Sequence, residues 1–359
     1  MLLVAAPASR PGSRRLHAGQ RRGKRRAALL GFRYLRAACG LGNPSRGSLD
    51  HYWPGGCRAG LAARIGTVDT GYFAYVDSNA VSDLSEPRPP VDRAMRAELL
   101  TAVEEGRLVI PFSEAVGQEI AAVSLSDRTK AEQLARFYLK VASLDNALEP
   151  TGGALGQVIA ERLGERPGPH YTRLTPRQRR HVRLRLSGKA RTHLDDIVAE
   201  YRKDTQTWVN NTRGFRDRAR AAIHAQAQAQ GEMPPKPMHL REAVAPIWPK
   251  LAPDWAWAIV ESRRFLERAR KAGLSDDEVL LIPGLRAAIG VLVALAVTQT
   301  LNGRNPHTGD YGDFQHVAQA ACAGLPLVSH DEALRKLVDA IPDSPLEVIS
   351  VEEMLRRVR

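Results

Sequence analysis

Four acidic residues stand at the ends of short apolar runs or near helix starts, in two stretches almost two hundred residues apart. In the first, Phe73-Ala74-Tyr75-Val76 leads to Asp77 and Asn79, and Val109-Ile110-Pro111-Phe112 leads through Ser113 to Glu119. In the second, Asp313 heads an alanine-rich segment that runs into Gly324-Leu325-Pro326-Leu327-Val328, Ser329 and Asp331. Short apolar runs bounded by turn residues read as buried strands. Strands alternating with helices make a parallel sheet, whose ligands sit beyond the carboxyl ends of the strands. A sheet that gathers these strand ends places Asp77, Glu119, Asp313 and Asp331 around one small space. Oxygen-only clusters of that kind suit Mg²⁺ or Mn²⁺, because a bound cation relieves the mutual repulsion of close carboxylates.

The order of these motifs resembles the PIN-domain nucleases, a family that includes the ribonuclease toxins of toxin–antitoxin pairs. The matching pieces are a strand ending in Asp77-Ser78-Asn79, Ser113 starting a helix that carries Glu119, Asp313 opening an alanine-rich helix, and Gly324 to Asp331. The resemblance covers about residues 70–125 and 300–359. It implies a three-layer α/β/α fold with a central parallel sheet and a metal-dependent endoribonuclease that uses Mg²⁺ or Mn²⁺ to hydrolyse RNA. It also implies roles. Asp77, Asp313 and Asp331 are direct or water-mediated metal ligands, and Glu119 is a ligand or orients the attacking water. Asn79 holds Asp77 or a phosphate oxygen, Ser329 binds a phosphate or caps its helix, and Asp310 is an alternative ligand. RNA is the implied partner, with an antitoxin or another protein and a homodimer left open.

Each residue also has a plainer explanation. Asp331 and Asp313 suit the positive N-terminal end of a helix, Glu119 suits an exposed helix face, and His316 and His330 suit a core or rim. A non-catalytic PIN-like module that binds RNA or protein is the alternative function. A phosphatase of the haloacid-dehalogenase type needs Asp-x-Asp at the first strand, and Asn79 occupies the second position.

The net charge of +13 lies mostly outside the motifs. Residues 1–64 carry thirteen basic residues against Asp50 alone, net +12, which leaves +1 for the other 295. So basic and irregular a segment is expected to be disordered. It reads as an arm for nucleic-acid phosphates, as a targeting peptide, or as an extension from a start codon placed too early. Its Arg25-Arg26 pair is similar to a twin-arginine signal, but Arg33 and Arg36 interrupt the apolar stretch that follows. Three cysteines without a paired spacing point to a reducing cytoplasm. The apolar run from Ala287 to Val297 is shorter than the ~20 residues that span a bilayer and reads as a buried helix.

Four segments follow: the basic extension 1–64, a PIN-like first half 65–125, a mostly helical insertion 126–300 and a PIN-like second half 301–359. Helix starts are expected at Thr175-Pro176 and at the capping-box pairs Ser275/Glu278, Ser329/Glu332 and Ser350/Glu353. Arg173 to Arg220 holds fourteen basic and five acidic residues. Arg177 and Arg180 there are candidates for lining a phosphate-tracking groove, and a solvated helix face is the competing reading.

Overall fold

The computed structural model describes residues 71–165, 171–187, 191–233 and 239–359. The basic segment 1–64, Cys39, Cys57, Lys189, the Arg191 side chain and the proline break at 234–237 lie outside the described residues. The chain is mixed α/β, with many helices around a curled sheet that is mostly parallel.

The sheet grows from the segment Tyr72–Val76, split into β1 (Tyr72–Phe73) and β2 (Tyr75–Val76) by buried Ala74. The amides of Tyr72 and Ala74 donate to the chain at Arg107 and Val109, while those of Tyr75 and Asp77 donate the other way, to Pro326 and Val328. β1 therefore pairs in parallel with β3 (Leu108–Phe112), and β2 in parallel with β6 (Leu327–Val328). Outward lie β4 (Ala142–Leu148) and antiparallel β5 (Tyr171–Thr172) on one side and β7 (Val348–Ile349) on the other. Successive strands are added first to one flank of the central segment and then to the other. This makes its carboxyl end a topological switch point, where a crevice opens.

Helices connect the strands. α1 (Ser78–Ser85) follows β2, α2 (Arg93–Glu104) precedes β3, and α3 (Glu114–Val123) and α4 (Arg128–Val141) separate β3 from β4. Between β4 and β6 the regular structure of the described residues is helical apart from β5. α5 (Thr151–Arg162), α6 (Pro176–Leu186), α7 (Arg191–Ala229) and α8 (Leu240–Val244) come first. α9 (Trp248–Ser262), α10 (Leu266–Lys271), α11 (Asp276–Leu280), α12 (Pro283–Leu301) and α13 (Thr308–Cys322) complete the run. α14 (Glu332–Asp339) and α15 (Val351–Val358) close the described chain.

Several local expectations change. β4 lies in the segment expected to be helical, because its sequence, ASLDNAL, lacks the β-branched and aromatic residues that mark strands. Burial of Ala142, Leu144, Ala147 and Leu148 beside β3 holds it in the sheet instead, and its register shifts at Pro111, which has no amide to donate. α13 starts at Thr308 rather than at Asp313, because His307 and Asp310 form the capping box. α14 is capped by Asp331 and not by Ser329. The boxes at Thr175/Gln178 and Ser275/Glu278 are both formed.

α12 extends the apolar run at both ends to 19 residues, long and apolar enough to cross a membrane by length and composition. Here most of it is packed inside the protein, against α13 and α7. Under the arginines of α7 runs a heptad stripe, with Leu194, Val198, Tyr201, Thr205, Trp208, Thr212, Phe215 and Ala219 all buried. Its two threonines return their hydroxyls to the Tyr201 and Trp208 carbonyls, at 2.7 and 3.0 Å, so neither hydroxyl is stranded, whereas the buried Trp208 indole N–H has no partner among the described residues.

α12 and α13 come close where Gly284 faces Cys322. A methyl on Gly284 would stand 2.9 Å from the Cys322 Cα, a backbone atom, and overlap its sulfur. Gly284→Ala is expected to lower the unfolding free energy by about 1–3 kcal/mol through overpacking, as measured by chemical denaturation.

Candidate active site

At the switch point β2 hands over to Asp77, which is 1 % exposed and caps α1 by accepting the Ala80 amide on Oδ1 at 2.7 Å. Burial pushes its carboxyl up to about 6, the Glu119 charge adds to this, and His316, the Ala80 amide and the Ser329 hydroxyl oppose it. Ser329 follows β6 and also accepts the Asp331 amide at 3.0 Å. Asp331 caps α14 by taking the amides of Ala333 and Leu334 on Oδ1, at 2.7 and 3.2 Å. Its Oδ2 faces the Asn79 amide at 3.4 Å, so Asn79 serves Asp331 rather than Asp77.

Glu119 enters from α3 and is held on one oxygen. Ser78 donates its hydroxyl to Oε2, and His316 Nε2 lies 2.8 Å from the same atom. Room for the carboxylate comes from Gly312 on α13, where any side chain would overlap Oε1. Burial favours the neutral acid, but the His316 charge and the hydrogen bonds from His316 and Ser78 outweigh it and hold Glu119 below the usual range. Burial disfavours the His316 cation in turn, yet Glu119 above all, with Asp77 and Asp313, raises it to about 9.

Behind this pair lies a chain of buried polar groups. The Tyr75 hydroxyl is 2.7 Å from His316 Nδ1, 3.0 Å from Ser113 Oγ and 3.2 Å from Gln319 Oε1. As an imidazolium, His316 donates to both Glu119 and Tyr75, and Tyr75 donates onward to Gln319. Ser113 also donates to Gln319 at 2.7 Å, and the Gln319 amide donates to the Glu149 carbonyl at 3.2 Å.

Asp313 sits one turn before His316 on α13, half-buried, with no hydrogen bond or ion pair among the described residues. Burial pushes it to about 7, and the charges of Asp331, Glu119 and Asp310 add to this while His316 opposes it. Asp310 is engaged elsewhere. It is fully buried and accepts from Gln299, from both terminal nitrogens of Arg304 and from the His307 amide, at 2.8–3.1 Å.

Asp77, Glu119, Asp313 and Asp331 thus line one open cleft of about 1270 Å³. The helical segment supplies its opposite wall, through Tyr201 of α7, Leu240 and Arg241 of α8, and Thr298 and Asn302 near the end of α12. Among the described residues no three acidic or histidine groups form a closed metal cage. A hard cation of the Mg²⁺ class keeps several of its waters, and carboxylates spread along a cleft fit that habit. Asp77 and Asp313, both raised by burial, line the same space without a Lys or Arg partner among the described residues.

Arg177 and Arg180 lie apart from this cleft, along a second one on α6. His330 is turned away too, with Nδ1 2.9 Å from Asp83. Tyr75, Ser78, Gly312 and Gln319 belong to the site without standing out in the sequence. The available signal was spacing, since Asp313, His316 and Gln319 recur every three residues and Gly312 lies four before His316, which puts them on one face of a helix. Comparison with family models, curated proteins and solved structures gives no match to the chain.

Two outcomes are expected. Tyr75→Phe strands the partners of a buried hydroxyl and lowers stability by about 1–3 kcal/mol in a denaturation experiment. The second concerns pH, with metal removed. His316 is raised from 6.5 to about 9 on folding, so its contribution is complete below pH 6.5 and is lost as pH rises through about 9. Glu119→Gln removes the cause of the shift. The wild type should lose stability over that window relative to the variant, and imidazole NMR titration should show the His316 value falling.

Proposed function

We propose that this protein is a metal-dependent endoribonuclease with a PIN-like, three-layer α/β/α organisation whose helical insertion walls the active cleft. The observation that carries the reading is the meeting of four acids from four separate elements in one cleft at the switch point of a mostly parallel sheet. A cleft of about 1270 Å³ is larger than the ~300–1,000 Å³ of most small-molecule pockets, which favours a polymer over a metabolite.

On this reading Asp77, Asp313 and Asp331 hold Mg²⁺ or Mn²⁺, directly or through water. When bound, the ion polarises the scissile phosphate and lowers the pKa of an attacking water. The chain's own groups position the reaction. Glu119 is fixed on one oxygen by His316 and Ser78, while the other, lodged against Gly312, has no hydrogen bond among the described residues and is the one left to orient a water. Asn79 and Ser329 hold Asp331 and Asp77 in their rotamers, which limits the reorganisation needed when charge develops. Arg241, exposed on the cleft wall with no ion-pair partner among the described residues, suits a flanking phosphate. Water adds to phosphorus, the bond to the leaving ribose oxygen breaks, and that oxygen takes up a proton, giving one phosphate end and one hydroxyl end. Reducing, cytoplasmic surroundings suit such an activity, with RNA as the partner and an antitoxin-like protein or a second copy as further candidates.

The test is cleavage of a mixed RNA pool with Mn²⁺ or Mg²⁺, beside Asp77→Asn and Asp313→Asn. Each variant should lose at least about 10²-fold in rate, the size of a lost electrostatic stabiliser. Mn²⁺ should raise the melting temperature of the wild type and not that of Asp313→Asn. A folded wild type that neither cleaves RNA nor responds to metal would replace this reading with that of a non-catalytic RNA- or protein-binding module.

A further inference from the structure

A second cavity, of about 550 Å³, opens beyond α3. Glu119 lines the acidic cleft and Glu114 lines this one. Five residues apart on a helix, they point about 140° apart around its axis and stand about 7.5 Å apart along it. One helix is thus the partition between the two clefts.

The second cleft is mostly apolar, with Phe112, Leu148, Leu186 and Ile197 among its walls. Half-buried Glu114 has no hydrogen bond or salt bridge among the described residues. Burial pushes its carboxyl up to about 7, with Glu200 and Asp204 adding and Arg185 opposing. Arg185 is itself paired with Glu200 at 3.3 Å. At the mouth, exposed Arg177 and Arg180 lie three residues apart on α6, and neither has an ion-pair partner among the described residues.

These features define a ligand. The volume lies within the ~300–1,000 Å³ range of small-molecule sites. An apolar slot takes a flat ring. A carboxylate without donors, held in a partly dry place, is stabilised most by two adjacent N–H groups. Two guanidinium groups at the mouth call for a phosphate. Guanine presents N1–H and its 2-amino group side by side on one edge. Adenine, cytosine and uracil each offer an acceptor where guanine offers one of these donors.

We propose that this second cleft binds a guanine nucleotide, with the base edge on Glu114 and the phosphate on Arg177 and Arg180. The nucleotide is either free or one residue of a single-stranded RNA. In the second case the inference rests on the ribonuclease reading for its purpose, and the cleft would hold a guanosine flanking the cut.

The experiment uses the full chain in chelator, so that nothing is cleaved. Calorimetric titration with the four nucleoside monophosphates should show GMP bound at least about tenfold more tightly than AMP, CMP or UMP, as a bidentate base contact gives. Glu114→Gln should bring that ratio close to one. The double variant Arg177→Ala, Arg180→Ala should weaken GMP at least about tenfold and leave guanosine unchanged. Anisotropy with a labelled oligouridine, with or without one guanosine, separates the sources. Selection of the guanosine-containing strand marks RNA as the ligand, and selection of GMP alone marks the free nucleotide. Absence of nucleotide binding, binding without base preference, or a preference untouched by both variants would overturn the proposal. Retained GMP selection in a protein that cuts no RNA would sink the ribonuclease reading and leave this one standing.

Discussion

The ion pair between Glu119 and His316 is the interaction on which the arrangement of the acidic cleft depends. It joins α3 to α13, two helices whose sequences are almost two hundred residues apart, and Tyr75 extends it to the central strand. Two charges taken out of water repay their desolvation only where geometry and further hydrogen bonds are good. Both conditions are met here, since Ser78 supports the carboxylate and Tyr75 the imidazolium. Removing either partner alone would leave an uncompensated buried charge, a loss of about 3–5 kcal/mol. The pair therefore fixes where Glu119 points.

Fixing Glu119 leaves the other acids in tension with one another. His316 is one positive charge among several carboxylates, and it eases Asp77 and Asp313 without neutralising both. Their remaining oxygens are divided between structure and cleft. Asp77 and Asp331 each commit one oxygen to a helix N-terminus, which stabilises negative charge, whereas Asp313 has no such support. One carboxylate without such support thus shares the cleft with two capped ones, and it is Asp313 that burial and its acidic neighbours push up to about 7.

The plan of this site was legible where chemistry repeats locally. Apolar runs ending in Asp77, Ser113 and Ser329 marked the strand ends and the strands formed there, with caps at Asp77 and Ser113, while the cap expected at Ser329 moved to Asp331. What stayed hidden depends on contacts distant in sequence. β4 carries poor strand residues and exists because β3 offers it buried partners. The helix of Asp313 begins five residues earlier than its alanine-rich stretch suggests, because Asp310, a candidate ligand, is consumed by Arg304, Gln299 and the cap at His307. His316 resembled any core histidine until the fold set Glu119 against one ring nitrogen and Tyr75 against the other.

The arginine-rich segment shows how composition and structure divide. Its charges cover a heptad stripe that packs α7 into the core, so much of the run is the solvated side of a structural helix. Arg177 and Arg180 belong to a different helix, α6, where Glu114 rather than the four acids is their counterpart across the cleft. α3 thus carries two carboxylates with opposite fates: Glu119 is matched by an imidazolium and a serine, and Glu114 by no donor among the described residues. A half-buried carboxylate gains from a donor, and its position at the edge of an apolar cleft lined also by Arg177 and Arg180 is most simply understood as a place for a ligand that brings the missing donors.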